Sequence, residues 1–434
     1  MSSPPLRIHY GWIVLVVGML ITFGALGLAR FGYTVVLPAM QAGLGMQNTQ
    51  AGAVATANLA GYLALALIGG ALASHFGPRR VISLGLAVAG LGMLITGLSN
   101  SVTVAAFGRF LTGVGSGASN VPVVGLMAAW FAPKRRGMAS GIVVAGSSVA
   151  LILIGPLSPQ VLNAFPQNGW RACWFIFSAI TVLFATVGWL LLRDHPSEKG
   201  LKPVGSRPAD AILIVGPAKL EWATVYRSSR MWRLGIVYMA NGFSYIIYMT
   251  FFTKALMVDG GYSAQAAGNM FMLMGWFSLF CGIIWGTLSD VIGRKHALLI
   301  VYLFHTAAFS LFALYPTPLG FTLSAILFGL TAWSIPAIMG AACGDILGAR
   351  LAPAGLGFIT LLFGIGQATG PSVAGAVADR AQGSLLPAML LAAVLALVGA
   401  AGTLCLPTDR RTQPAHRKRL DHPSKREAVD ESVL

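Results

Sequence analysis

The sequence predicts an all-α membrane protein in which twelve transmembrane helices form two pseudo-symmetric bundles of six. Only 10% of its 434 residues are charged, whereas soluble domains carry about 25%. Apolar runs of about 20 residues, the length that crosses a bilayer as a helix, follow one another along the chain. A glycine-containing motif also occurs twice, about half a chain apart, which indicates a duplicated architecture.

Hydropathy and helix-breaking residues divide the chain into two halves. We expect one bundle over residues 1–193 and the other over 232–406, with a linker over 194–231 and a basic tail over 407–434. Each span is long enough to cross about 30 Å of hydrocarbon at about 1.5 Å per residue. The predicted spans are 10–38, 50–74, 81–99, 102–130, 138–163, 170–192, 232–257, 265–288, 296–315, 317–345, 354–379 and 384–406.

The basic residues mark one side of the membrane. Most of the 29 Lys and Arg residues fall in the linker, the tail and the loops on the same side, while the opposite loops hold only Arg171 and Arg380. Because positive charge is retained on the cytoplasmic side, we expect both termini and the linker in the cytoplasm of a bacterial inner membrane. The net charge of +16 is therefore distributed in the positive-inside pattern of a membrane protein, and it argues against a nucleic-acid-binding face.

Neither a metal site nor a cofactor site is expected. The four cysteines lie far apart without metal-ligand spacing, which also argues against disulfides: Cys173, Cys281, Cys343 and Cys405. No glycine-rich loop with a lysine suited to phosphate binding occurs, so ATP is not expected either. We expect a monomer that is not an enzyme.

Two copies of one motif end apolar runs with a basic pair. GGALASHFGPRR spans 69–80 and GTLSDVIGRK spans 286–295, and each contains Gly, three residues, a polar residue, two residues and Gly. Glycines at helix ends allow close helix packing, and Asp290 can pair with Arg294 four residues on. Either these loops gate the protein, or they only set topology and turn geometry. The gating candidates are Gly70, Ser74, Gly77, Arg79, Arg80, Gly286, Asp290, Gly293, Arg294 and Lys295.

Both motif copies resemble the loop signatures of the major facilitator superfamily. RFLTGVGSG (109–117), GPLSP (155–159) and FGIGQATGPSVAGAVAD (363–379) resemble its motifs in spans 4, 5 and 11. The resemblance implies a transporter with a central site, whose motif loops latch the two halves together on the cytoplasmic side. The first copy departs from the family pattern, because Ser74 stands where an acid is usual and His75 where Arg is usual. We therefore expect a weaker latch in the N-terminal half.

Two branches of the superfamily are similar to this chain. HYGWIVLVVGML and WFAPKRRGMASGIVVAGSSV resemble the oxalate/formate and monocarboxylate branches. LARFGYTVVLPAMQAGLGMQNTQAG and the eleventh span resemble the YbfB/YjiJ-type branch. Both resemblances imply a carrier driven by protons or by another gradient.

The charges inside the predicted spans are positive. None of the 13 acidic residues lies in the middle of a span, whereas Arg30 lies in span 1 and Arg109 in span 4. Buried charge is costly and tends to mark function, and Arg binds carboxylates with two parallel hydrogen bonds. We expect both arginines, with Lys254 near the outer end of span 7, to bind an anion. Alternatively, the arginines satisfy carbonyls of neighbouring helices and Lys254 extends outward to water.

The family resemblance implies that spans 1, 4, 7 and 10 line the central cavity, and polar residues there and in spans 2 and 11 are further candidates for substrate binding. Asn58 and Tyr62 share one face of span 2. Each of these residues can equally form a hydrogen bond between helices. The candidates in the other spans are Tyr33, Asn120, Asn241, Tyr245, Tyr248 and Gln367.

These observations favour a secondary active transporter of a small organic anion, most simply a carboxylate, that works by alternating access. The missing carboxylates leave two modes open: a proton travels with the substrate, or one anion is exchanged for another. Two alternatives remain at this stage. One is an exporter of neutral or amphipathic compounds, and the other is a non-transporting membrane sensor or scaffold.

Overall fold

The computed structural model describes residues 9–206 and 222–406, and there the chain is built of helices. The predicted basic tail and residues 207–221 of the predicted linker lie outside the described residues. The spans, which we number α1 to α12, are Tyr10–Leu44, Asn48–Phe76, Pro78–Leu98, Val102–Trp130, Pro133–Ala164, Gly169–Leu191, Ser229–Val258, Ala264–Ile292, Arg294–Leu314, Pro318–Leu347, Ala354–Arg380 and Leu386–Leu404.

Eleven of these helices are long and apolar enough to cross a membrane, and α2 is the twelfth when its two parts, bent by 47°, count as one span. The predicted all-α fold with twelve spans is therefore confirmed. Helical backbone also continues through the connection between α10 and α11, so that Ser334–Arg380 is one run of helix. Between α6 and α7 lie a 3₁₀ turn, Pro196–Lys199, and a short helix, Trp222–Arg227.

The two motif copies form the same turn. Gly77 ends α2 with φ of 88°, and Gly293 ends α8 with φ of 90°. This left-handed region suits glycine because it has no Cβ, and the next helix begins at the following residue in both places. The repeated sequence thus produces a repeated connection, as expected for a duplicated architecture.

Three spans depart from regular α-helix near the middle of their length. In α1, residues Phe23–Phe31 form a π-helix, in which backbone hydrogen bonds join residues five apart instead of four. The helices of α8 and α10 are interrupted around residues 279–280 and 330–333. The Trp285 indole donates to the Leu330 carbonyl at 2.9 Å, so a carbonyl at the α10 interruption has a partner from α8.

The two bundles meet through α2 against α11 and α5 against α8. We call the end at which α1 begins and α12 ends the terminal end, and the opposite end the distal end. Near the distal end the backbones touch. A Cβ on Gly52 would lie 2.1 Å from the Pro371 carbonyl oxygen, and one on Gly155 would lie 2.4 Å from that of Gly268. Only glycine permits this approach, so these glycines allow the two bundles to pack closely at the distal end.

Candidate functional site

A small pocket lies between the two bundles, where the π-helix of α1 faces α2, α4 and α7. Its volume is about 10 Å³, room for about one water molecule. The structure brings together there both arginines that the sequence places inside spans. The lining residues include Arg30, Tyr33, Asn58, Arg109, Met249 and Thr250.

Arg30 keeps one edge of its guanidinium without a partner. Its Nη1 donates to the Tyr245 hydroxyl at 3.5 Å, and its guanidinium carbon lies 4.2 Å from the centre of the Tyr62 ring. Its Nε and Nη2 atoms are buried, and no atom of the described residues accepts a hydrogen bond from them. These two nitrogens form the edge that binds a carboxylate through two parallel bonds.

Arg109 has different surroundings. It is 1% exposed, and its Nη1 donates to the Ala29 carbonyl at 2.5 Å. Its guanidinium carbon lies 5.0 Å from the Tyr33 ring and 4.9 Å from the Trp174 ring, so two aromatic faces stabilise the charge. This arrangement matches the structural alternative stated for Arg109, the satisfaction of a neighbouring helix carbonyl.

Four of the other predicted residues lie around Arg30: Tyr62 and Tyr245 contact its guanidinium, and Asn120 and Gln367 hydrogen-bond to these tyrosines. The Gln367 amide donates to the Tyr245 hydroxyl, and the Asn120 amide donates to the Tyr62 hydroxyl at 3.1 Å. Tyr62 and Tyr245 come from opposite bundles, so the Arg30 side chain bridges the two halves of the protein. Any rocking of one bundle against the other therefore changes the surroundings of Arg30.

Several predicted binding residues lie elsewhere. Tyr248 hydrogen-bonds Ser324 inside an aromatic cluster of the C-terminal bundle. It follows Tyr245 by three residues, which turns its side chain about 60° around α7 from that of Tyr245, and it is not among the residues that line the pocket. Tyr33 lines the pocket but its hydroxyl donates to the Ala51 carbonyl at 2.8 Å, and Asn241 is buried in α7 without lining the pocket.

Lys254 belongs to a cross-bundle polar cluster at the distal end, which we call the distal latch: Gln41, Asn48, Thr49, Lys254 and Asp379. The Lys254 ammonium donates to the side chains of Gln41 and Asn48. The Asp379 carboxylate accepts from the backbone N–H groups of Asn48 at 3.0 Å and Thr49 at 2.8 Å. Asp379 in α11 thus caps the N-terminus of α2 across the two bundles.

The motif loops at the terminal end bond within their own bundles. In the second copy, Arg294 pairs with Asp290 at 2.5 Å and with Asp345 of α10 at 2.9 Å. Lys295 donates to the Leu404 carbonyl. A Cβ added at Gly286 would have no neighbour within 4 Å among the atoms of the described chain. The second copy thus braces the C-terminal bundle in this structure.

In the first copy, the acidic partner comes from a residue outside the motif. Ser74 only donates to the Gly70 carbonyl of its own helix, at 2.9 Å. Asp194, just after α6, accepts from the backbone N–H of Arg79 at 2.6 Å, and the Arg79 side chain donates to the Trp189 carbonyl. Arg80 is exposed. The carboxylate missing at Ser74 is thus supplied by the start of the linker, where the motif pattern gave no signal for it.

Two six-helix bundles with a pocket where they meet define the class of the protein, a transporter of the major facilitator superfamily fold. The chain belongs to the family described as "Uncharacterised MFS-type transporter YbfB", which matches residues 22–404. This confirms the predicted superfamily and the YbfB-like branch, and it is a family of transporters and not of enzymes.

Several named transporters are distant relatives of this chain. The probable sulfoacetate transporter SauU of Cupriavidus necator is 26% identical over 277 residues, 61% of each chain. The hexuronate transporter of Bacillus subtilis is 22% identical over 278 residues, 62% of each. The 4-hydroxybenzoate transporter PcaK of Acinetobacter baylyi is 27% identical over 225 residues, 50% of this chain and 47% of PcaK. The chain thus spans about three fifths of the first two relatives and less of the third.

Solved structures share the fold. A bacterial homologue of the human lysosomal transporter Spinster, in an inward-facing and unoccupied conformation, superposes with a TM-score of 0.73 at 18% identity, over 93% of this chain and 98% of that one. A nucleoside transporter, NupG, gives a TM-score of 0.71 at 13% identity, over 91% of this chain and 99% of NupG. Both similarities concern the fold alone.

Proposed function

We propose that this protein is a secondary active transporter of a small organic anion, most simply a carboxylate. One observation carries the proposal: the Nε–Nη2 edge of Arg30 is buried beside a pocket between the bundles, with no partner among the described residues. Within that part of the chain no carboxylate lies at salt-bridge distance from Arg30. An unpaired Arg at this depth costs on the order of 3 kcal/mol. An anionic substrate would remove that cost.

The names of the relatives support an anionic substrate. Sulfoacetate, hexuronate, L-galactonate and 4-hydroxybenzoate are all organic acids, and each appears in the name of a relative. Another relative is named for puromycin resistance, and Tyr245 stacks on Phe363 beside Arg30, with ring centres 5.9 Å apart. This aromatic surface favours, as the second candidate, an exporter of neutral or amphipathic compounds.

The distribution of charge supports an orientation. Arg79, Arg135, Arg193, Lys199 and Arg294 all lie at the terminal end, which the positive-inside rule assigns to the cytoplasm of the bacterial inner membrane. The distal latch then lies on the periplasmic side and closes the protein there. Without a mid-span carboxylate, the proton would travel as part of the substrate acid, or the protein would exchange anions.

Flux into liposomes tests the proposal. We expect uptake of at least one of sulfoacetate, L-galactonate and 4-hydroxybenzoate by the purified protein, and its loss in Arg30→Ala. Losing a charged partner typically costs 2–5 kcal/mol, roughly 30- to 5,000-fold in affinity. Full activity of Arg30→Ala would refute the site, and transport of a neutral aromatic probe alone would favour the exporter. A pH gradient that drives uptake would indicate proton coupling, and trans-stimulation by internal anion would indicate exchange.

A further inference from the structure

The π-helix of α1 is held by side chains of α4. Arg109 Nη1 donates to the Ala29 carbonyl, the residue directly before Arg30, and Ser116 Oγ donates to the Ala25 carbonyl. Arg109 and Ser116 are seven residues apart, two turns of helix, so they project from one face of α4. Two donors of one helix therefore bond two carbonyls, one turn apart, of the segment that carries Arg30.

The same segment is held from a second side. A Cβ on Gly27 would lie 2.0 Å from the Cβ of Ala150 in α5, so the α1 backbone rests directly on that helix. Held between α4 and α5, the π-helical turn has little freedom to rotate. Because Arg30 follows Ala29 directly, the direction of its side chain depends on this turn.

The charge of Arg109 is already compensated where it stands. Tyr33 and Trp174 present their ring faces to its guanidinium, and the Ala29 carbonyl takes one of its hydrogen bonds. Both arginines keep a buried Nε without a partner in the described residues, but only Arg30 also keeps Nη2, so only Arg30 has a whole unpartnered edge. The two arginines of the pocket thus differ in what they can offer a ligand.

From these contacts we infer that Arg109 and Ser116 are positioning residues. They hold the Phe23–Phe31 turn so that the Nε–Nη2 edge of Arg30 faces the pocket, and Arg109 acts through the α1 backbone and not as a second anion ligand. The inference rests on the proposed function and narrows it, since the pocket then offers one guanidinium edge. Such a site suits a substrate with one anionic group at the point of binding.

The serine of this pair gives the cleanest test. Ser116→Ala removes the bond to Ala25, while the matched control Ser119→Ala removes equally buried bonds to the Ile82 carbonyl at 3.0 Å and the Gly115 carbonyl at 2.8 Å. We expect Ser116→Ala to raise the Kd for the transported probe about fivefold, the loss of about 1 kcal/mol, and Ser119→Ala to raise it less than twofold. Ser116→Thr, which keeps the hydroxyl, should restore affinity.

A double-mutant cycle tests Arg109. The Kd for sulfoacetate, L-galactonate and 4-hydroxybenzoate is measured for Arg109→Gln in the wild-type and Arg30→Lys backgrounds, with thermal unfolding as the check on folding. We expect about a tenfold loss in the first background and less than twofold in the second, because Lys has no guanidinium edge to orient. Equal losses in both backgrounds would show that Arg109 acts independently of the Arg30 guanidinium and would overturn the inference.

The outcomes separate the two proposals. Unchanged binding by Arg30→Ala, or binding of none of the three probes by the wild type, overturns the proposed function and with it this inference. If Arg30→Ala abolishes binding while Ser116→Ala equals Ser119→Ala, the site stands and only the positioning role fails.

Discussion

Two tyrosines hold the Arg30 guanidinium from opposite bundles. The Tyr245 hydroxyl accepts from Nη1, and the Tyr62 ring lies beneath the planar group at 4.2 Å. What remains for a ligand is a planar edge with two fixed donors. A lysine at this position would keep the positive charge but lose both the fork and the stacked plane.

We therefore expect Arg30→Lys to raise the substrate Kd about tenfold, the equivalent of one charged hydrogen bond, without loss of folded protein. Isothermal titration on purified protein measures the effect. Arg171→Lys serves as the control, because Arg171 bonds the Gly97 carbonyl and the Asn100 side chain away from the pocket. An equal loss of affinity in both variants would contradict a special role for the Arg30 fork.

The sequence identifies the two arginines but not the difference between them. Both stand out because a charge inside an apolar span is costly. Their roles depend on Trp174 and the Ala29 carbonyl, which come from other spans and lack a pattern that links them to Arg109. Tyr248 shows a limit of helix spacing. Residues three apart, such as Tyr245 and Tyr248, are predicted to share a helix face, but their side chains still point about 60° apart.

At the scale of helices, the distal latch joins elements that are far apart in the chain. The N-terminus of α2 receives its cap from α11 in the other bundle. Asp259 offers a comparison, because it accepts from Ser384 and from the N–H of Leu385 and so caps α12 within its own bundle. The two acids make similar bonds, but only the Asp379 cap has to break when the bundles part.

Asp379→Ala should shift the protein toward distal opening, and Asp259→Ala should not. A lost cap costs about 1 kcal/mol, which corresponds to about a fivefold change in the ratio of the two states. The rate at which a membrane-impermeant thiol reagent, added at the distal side, modifies Thr250→Cys in the pocket reports that ratio. A Cys405→Ser background removes the exposed native thiol. Equal modification rates in the two aspartate variants would show that the distal latch does not control opening at the distal end.

At the scale of the whole molecule, hydropathy is enough to predict twelve spans and two bundles. It cannot predict which ends of the bundles touch, because that depends on single backbone approaches such as Gly52 to Pro371. Nor can it predict the π-helix, since the sequence of Phe23–Phe31 carries no pattern that is typical of a π-helix. These features are set by contacts between helices, and no one segment encodes them alone.

The orientation in the membrane is a separate prediction. Lys199→Cys at the terminal end should resist an impermeant reagent in intact cells, and Gln167→Cys in the distal loop between α5 and α6 should react. Both positions are exposed, so accessibility in solubilised protein should be equal. Positive charge gathered at the terminal end is the physical reason. Labelling of Lys199→Cys from outside would reverse the assigned orientation.

The contact of Gly155 with Gly268 influences the balance between the closed and open states of such a carrier. A Cβ on Gly155 would lie 2.4 Å from the Gly268 carbonyl oxygen, and a Cβ on Gly268 would lie 2.1 Å from the Gly155 carbonyl oxygen. One added methyl group at either glycine would destabilise the distally closed state, because that state has no room for it. Moving a two-state population from 1:99 to 99:1 takes about 5.5 kcal/mol. A single carbon atom at this point can therefore bias the resting state of the carrier while leaving its substrate chemistry untouched.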